Sequence, residues 1–215
     1  MSNYELAKRL IDTLPVPSPP KLFNPWRDHC DDCLPCNDPD AKLARLAAHL
    51  DCKAKFILCG EAPSHRGCRH SGIAFTSEYL LREGIPRIPK MSHRITAKKS
   101  PYKEGSATTV WKVLRELHIE ERTILWNALQ MHPHEMGKPH SNRRPKLEET
   151  KKGRLALQML VDTFRSATVV AVGRTAERLL KSMGVPAEYV RHPANGGAPE
   201  FRRELKRLVK LKRSA

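Results

Sequence analysis

The sequence predicts an α/β protein in which four parallel strands are covered on both faces by helices. Two observations carry this reading. Four short apolar runs recur along the chain, separated by segments with helical spacing of apolar residues. Helix-then-strand alternation is the pattern of parallel sheets joined by crossover connections. Each run also ends on polar or turn-forming residues, and ligands of open α/β sheets bind at the carboxyl ends of the strands. A length of 215 residues suits one domain with a core of its own.

Residues 3–13 read as a helix with an apolar stripe of Leu6, Leu10 and Ile11. The proline-rich connector from Pro15 to Pro20 cannot continue it. Phe23-Asn24-Pro25-Trp26 reads as a packed loop with aromatic anchors. Asp40 is the expected cap of a helix that buries Leu43, Leu46, Ala47 and Leu50. Residues 1–215 are thus expected to form a single domain, with a helix and a Pro/Cys-rich extension at 1–40.

Phe56 to Cys59 is the first strand. It breaks at Gly60-Glu61-Ala62-Pro63 into a glycine-containing loop with one isolated aromatic, Phe75. Thr76 or Ser77 can cap a short helix through Leu81. Residues 84–103, rich in Pro, Lys, Arg and His, form a loop with little to bury. It is either a flexible nucleic-acid contact or a solvated insertion.

A helix over 106–117 turns Val110, Trp111 and Leu114 inward, and Thr123 to Asn127 is the second strand. Residues 147–164 carry one long helical period, with Leu155, Leu157, Met159, Leu160 and Phe164 available for burial. The β-branched run 167–172 is the third strand, and Gly173-Arg174-Thr175 leads into a helix over 176–182. A short fourth strand, 188–191, ends on His192-Pro193-Ala194-Asn195. The closing helix, 199–211, points Leu205, Leu208 and Val209 inward and a row of Arg and Lys outward.

Charge is the main global clue. Lys and Arg number 39 against 23 acids, a net charge of +16. A balance this basic suits a nucleic-acid partner, because neutralising phosphates releases condensed counterions. No apolar run approaches the ~20 residues of a membrane span. The first residues lack the pattern of a signal peptide, so a cytoplasmic protein is expected, nucleoid-associated where the nucleic-acid partner is DNA. No spare apolar helix face is evident, and a monomer is expected. Among six cysteines, Cys30, Cys33 and Cys36 are spaced C-x2-C-x2-C beside His29, a metal-like cluster without an obvious fourth ligand. Free thiols are expected there, with neither metal nor cofactor.

The strand ends carry the candidate chemistry. Glu61, Asn127, Arg174, and His192 with Asn195 would share one edge of a parallel sheet. A carboxylate can accept a proton or stabilise positive charge. Asn offers donor and acceptor side by side, suited to the amide-like edge of a base. His192 can donate to a developing anion, and Phe75 offers a face for stacking.

Gly60-Glu61-Ala62-Pro63 followed by Gly72-Ile73-Ala74-Phe75-Thr76-Ser77 resembles the first motif of the uracil-DNA glycosylase superfamily. Asn127, Asn142-Arg143-Arg144-Pro145, Val172-Gly173-Arg174 and His192-Pro193 follow in that superfamily's order. The similar branch is that of the bacterial, thermophile-type iron-sulfur enzymes. The resemblance implies a three-layer α-β-α sandwich around a four-stranded parallel sheet. It also implies hydrolysis of the N-glycosidic bond of deoxyuridine in DNA after base flipping, with release of uracil. On that basis Phe75 stacks on uracil, Asn127 reads its edge, and His192 bonds the leaving base. The backbone of Gly60 to Ala62 positions water and base.

Departures from the pattern matter. Ala62 stands where the uracil glycosylases proper have a water-activating Asp, so Glu61 is the first candidate carboxylate and His65 the second catalytic candidate. Met131 and the 148–164 segment lack the cysteines of the iron-sulfur branch, which implies a cluster-free variant. The loop after His192-Pro193 has no Leu to wedge into DNA. Arg191, or an Arg from the Arg66 to Arg69 loop, is the expected substitute, and Arg66, Arg69, Arg174, Arg191 and Asn195 are the expected DNA contacts. Two alternatives stand beside uracil excision: a glycosylase for another deaminated base, such as hypoxanthine or xanthine, and a basic nucleic-acid-binding protein on a catalytically degenerate scaffold.

Overall fold

The computed structural model describes residues 1–213. Its central sheet consists of β2 (Phe56–Gly60), β3 (Thr123–Asn127), β5 (Thr168–Val172) and β6 (Glu188–Val190), all parallel, in the order β3-β2-β5-β6. Successive side chains of a strand face opposite ways, and both faces here are apolar. Ile57, Cys59, Ile124, Trp126, Val169 and Ala171 pack on one side. Phe56, Leu58, Leu125, Val170, Val172 and Val190 pack on the other.

Helices close both faces, giving the three-layer α/β sandwich. On the first face lie α1 (Asn3–Asp12), α2 (Pro39–Leu50), α7 (Arg154–Thr163) and α8 (Arg174–Ser182). On the second lie α4 (Glu78–Glu83), α5 (Gly105–Glu116) and α9 (Ala198–Arg213). Side chains such as Leu10, Leu46, Trp111 and Phe201 are fully buried between layers, each contributing about 1.5–3 kcal/mol. The N-terminal extension shares this core. It is also tied to the site edge, where β1 (Leu22–Phe23) pairs antiparallel with β4 (His132–Pro133). Among the described residues no helix is long and apolar enough to cross a membrane.

Strand β3 is an edge strand, and its outward N–H at Leu125 would be left without a ladder partner. His49 from α2 covers it, its Nε2 accepting that N–H at 2.8 Å. Burial holds His49 well below the ordinary histidine value, at about 3, and the nearby Arg87 cation acts in the same direction.

Three helical segments differ from the sequence expectation. Helix α2 is capped by Asp38, which accepts from the Ala41 N–H at 2.7 Å with Pro39 at the first helical position, and not by Asp40. Ser77 holds the cap position of α4 without a side-chain capping bond. The period over 147–164 is interrupted: α6 (Leu147–Thr150) and α7 are joined by a 3-10 turn at Lys151–Gly153. There the backbone presses on the Ala128 carbonyl so closely that a Cβ on Gly153 would stand 2.1 Å from its oxygen. The break rotates Leu155 into solvent, where it is 67% exposed, while Leu157 and Leu160 are buried.

The loop 84–103 has more to bury than its composition suggests. Ile85, Ile88 and Ile95 enter the core around Glu78, which is wholly buried. Its carboxylate accepts from Arg94 at 2.7 Å, Thr96 Oγ1 at 2.6 Å and the main-chain N–H groups of Ile95 and Tyr102. Burial alone would raise this carboxyl, but those hydrogen bonds bring it down to about 2.

Candidate active site at the carboxyl ends of the strands

In-register pairing of Gly60 with Asn127 and of Val172 with Val190 brings four strand ends to one edge. A cleft of about 720 Å³ opens there, lined by Glu61, Ala62, Ser64, Asn142, Thr175 and His192, among others. Its walls carry Arg66, Lys103, Arg143, Arg144, Arg174, Arg178 and Arg191 against two carboxylates, Glu61 and Glu104. The cleft is therefore built for a polyanion.

Behind its inner wall Gly60, Phe75 and Asn127 meet. A Cβ on Gly60 would stand 2.4 Å from the Phe75 ring and 3.0 Å from Asn127 Oδ1, so only glycine admits this contact. Phe75 has φ of +50°, a left-handed conformation that costs a bulky residue of order 1–3 kcal/mol and must be held by its surroundings. The Asn127 carbonyl accepts from Gln130 Nε2 at 2.6 Å, and the residue is buried, 5% exposed. None of these three side chains or backbones lies on the open wall of the cleft itself.

His192 links that inner group to the cleft. Its ring centre lies 5.9 Å from that of Phe75, and its Nδ1 accepts the Ala194 N–H at 3.1 Å. Burial lowers its proton affinity below the ordinary histidine value, with Glu61 opposing and Arg191 assisting. The ring is thus neutral near pH 7, with its proton on Nε2. Gly173, at φ of +93°, lets the ring approach: a Cβ there would be 3.1 Å from the His192 Cβ.

Glu61 is oriented by a residue that sequence reasoning did not single out. Thr175, at the start of α8, donates its hydroxyl to Glu61 Oε2, and Arg144 Nε stands 3.8 Å from the same oxygen. Glu104 was missed as well. It accepts from Ser64 Oγ at 2.8 Å and Ser106 Oγ at 2.5 Å, and burial raises its carboxyl above the usual range. A spacing signal existed for Thr175, which directly follows the strand-end Gly173-Arg174. None existed for Glu104, which comes from a distant loop.

Of the expected DNA contacts, Arg66, Arg174, Arg191 and Asn195 do line the cleft. The Arg174 guanidinium lies 4.3 Å over the Tyr189 ring and pairs with Glu177 at 2.8 Å. Arg191 pairs with Glu200 at 3.3 Å. Besides Gly60, Phe75 and Asn127, two further expected residues, Arg69 and His65, do not line the cleft. Cys68–Ser71 wind into the short helix α3, all four residues buried. Arg69 therefore points inward, 3.6 Å over the Phe23 ring and 3.1 Å from His132 Nδ1. His65 is likewise buried, its Nε2 3.1 Å from the Tyr102 hydroxyl. Burial, with the neighbouring His70 and His140, lowers it to about 4. His65 therefore does not line the cleft, and its main-chain N–H donates to Asn142 Oδ1 at 2.7 Å.

A four-thiolate iron-sulfur cluster does not fit these residues. Met131 is buried in the apolar core just after β3, Cys59 lies within β2, and Cys68 is buried on α3. His29, the neighbour of the N-terminal cysteines, is exposed and pairs with Asp31 at 3.2 Å.

A profile of the Uracil DNA glycosylase superfamily matches residues 48–209. No curated protein sequence matches the chain. Among solved structures, wild-type SMUG2 of Pedobacter heparinus superposes with a TM-score of 0.66 at 12% identity, over 100% of both chains. Wild-type UNG of Nitratifractor salsuginis gives a TM-score of 0.43 at 15% identity, covering 80% of this chain and 78% of that one. The first of these likenesses is one of fold.

Proposed function

The chain belongs to the uracil-DNA glycosylase superfamily, and we propose that it is a monomeric DNA repair enzyme that hydrolyses the N-glycosidic bond of deoxyuridine. It releases uracil and leaves an abasic site. The observation that carries this reading is that Gly60, Phe75 and Asn127 meet behind the inner wall of an electropositive cleft, with His192 on that wall lying against Phe75. An aromatic face, an amide and a neutral imidazole donor are what a flipped pyrimidine needs for stacking, recognition and departure.

In this reading the Arg and Lys side chains of the cleft take the phosphates on either side of the flipped nucleotide. Phe75 stacks on the base and Asn127 pairs with its amide edge. As the glycosidic bond breaks, the electron pair moves onto the base, and His192 Nε2–H donates to its O2. A preorganised donor of this kind, aimed at developing charge, contributes roughly 3–4 kcal/mol. Glu61, held by Thr175, faces the sugar side. There it orients the attacking water and offsets positive charge on the sugar. Ala62 contributes only backbone.

The test is base release from an end-labelled oligonucleotide with a single deoxyuridine, read as strand scission after alkali. Cleavage of single- or double-stranded substrate at micromolar enzyme supports the reading, and complete absence of scission sinks it. Substituting hypoxanthine or xanthine for uracil in the same oligonucleotide reads out the base range. Ala62, a methyl where a carboxylate would activate water, favours a second reading, DNA binding without catalysis. That reading predicts salt-sensitive retention of the oligonucleotide with no released base.

A further inference from the structure

Behind the cleft loop, three residues that no step of the proposed reaction uses converge from distant parts of the sequence. The Cys30 and Cys33 sulfurs lie 3.7 and 3.5 Å from His70 Nδ1, and all three atoms fall within 4.8 Å of one another. A tetrahedral zinc with Zn–S of about 2.3 Å and Zn–N of about 2.0–2.1 Å places sulfur and nitrogen roughly 3.6 Å apart. The observed spacings match that figure. One ring nitrogen offers a single lone pair or a single proton, so a simple hydrogen bond accounts for one of the two contacts and not for both.

We propose that Cys30, Cys33 and His70 bind one tetrahedral, zinc-type divalent cation that clips the N-terminal extension to the base of the cleft loop. The surroundings are those of a ligand shell. Asn37, fully buried, donates Nδ2–H to Cys33 Sγ at 3.3 Å and to the His70 carbonyl at 3.0 Å, fixing two of the three ligands at once. Such outer partners hold ligands in binding geometry. Lys42 is also fully buried, with no hydrogen-bond partner for its ammonium. Ligating thiolates would supply the negative charge that a buried ammonium requires. Cation binding releases the two thiol protons to solvent. Cys36 is exposed, its thiol against the Arg94 carbonyl at 3.5 Å, and stands outside the three-ligand set.

The consequence is mechanical. His70 belongs to α3, which follows Ser64 and Arg66 of the cleft wall within one short loop. The cation would tie that loop to residues 30–37 and so hold the wall in place from behind.

The experiment uses the full chain, reduced, freed of metal with a chelator and titrated with cobalt. The expected result is a thiolate-to-cobalt charge-transfer band with intense tetrahedral visible bands, saturating at about one equivalent and bleached by zinc. His70→Ala and the Cys30→Ser, Cys33→Ser pair should weaken binding at least tenfold. Should those variants not fold, alkylation of the native chain decides. Zinc is expected to slow modification of Cys33 several-fold while leaving Cys36 unchanged, and equal rates with and without zinc overturn the proposal. It is overturned equally by absence of the charge-transfer band in the native chain, or by its persistence in the double-serine variant. Purification with iron and acid-labile sulfide, or as a Cys30–Cys33 disulfide that binds no cobalt once reduced, also overturns it.

Discussion

The Ala194 N–H donates to His192 Nδ1 at 3.1 Å, which commits the neutral imidazole to a proton on Nε2. A backbone donor thus selects the tautomer that can donate to a leaving base. Burial reinforces this by holding the ring below its ordinary proton affinity. His192→Ala is expected to lower kcat by about 10²–10³-fold, with an unchanged circular dichroism spectrum. Because protonation of Nδ1 would displace the Ala194 bond, activity should be flat through pH 7 and fall only below about pH 6.5. A rate that climbs through that region would contradict the neutral-donor role.

Glu61 and Thr175 separate chemistry from positioning. Glu61→Gln should cost about 10²-fold or more in kcat. Thr175→Val removes only the hydroxyl that orients the carboxylate. It should cost about tenfold in kcat with KM little changed. Equal losses in the two variants, measured by single-turnover base release, would show that Thr175 does more than orient its neighbour.

Gly60→Ala places a methyl 2.4 Å from the Phe75 ring. The ring must move, and both base release and Tm should fall. Pairing the change with Phe75→Ala frees the space. The stability loss of the double variant should therefore be smaller than the sum of the single losses by about 1 kcal/mol or more, as expected for residues in contact. Strict additivity in urea unfolding would deny the contact.

Buried histidines make the fold acid-sensitive. His49 and His132 are each held at about 3, in both cases first by burial, against an ordinary value of 6.5. Their folded values lie below their unfolded ones, so the unfolded chain binds more protons between the two. Stability is full above pH 6.5 and is lost as pH falls towards 3. Each group contributes a slope of up to about 1.4 kcal/mol per pH unit. His49→Gln should flatten the pH dependence of the unfolding free energy, measured by urea titration from pH 7 to 4.

The basic cleft can be separated from buried basic residues by salt. Arg66→Ala and Arg174→Ala should each reduce the slope of log binding constant against log salt by about 1. Arg69→Ala should leave that slope alone and lower Tm instead, since its guanidinium stacks on Phe23 in the interior.

Much of this architecture is legible in local pattern. Ile57 and Leu58 lie on opposite faces of β2, and both faces are apolar because helices cover both. The run therefore reads as continuous hydrophobicity rather than alternation, which is the mark of a parallel strand buried on both sides. Polar residues immediately after such runs could be assigned to one edge by the same logic, and Glu61 and His192 do share the cleft. Arg69 and His65 were not separable from Arg66 in this way. All three belong to one basic loop by composition; the winding of α3 turns Arg69 inward, and packing against Tyr102 from a distant loop buries His65.

The sequence by itself determined the order of strands and helices, the basic character of the surface and which residues end the strands. These follow from hydrophobic periodicity and charge, which act over a few neighbours at a time. Only the tertiary structure decided that Thr175 holds Glu61, that Ala194 sets the His192 tautomer, and that Gly153 breaks the 147–164 helix against Ala128. It likewise decided that His70, and not His29, faces Cys30 and Cys33. Each of these depends on an approach of a few ångströms between segments packed from different parts of the fold, and no local pattern encodes such a distance.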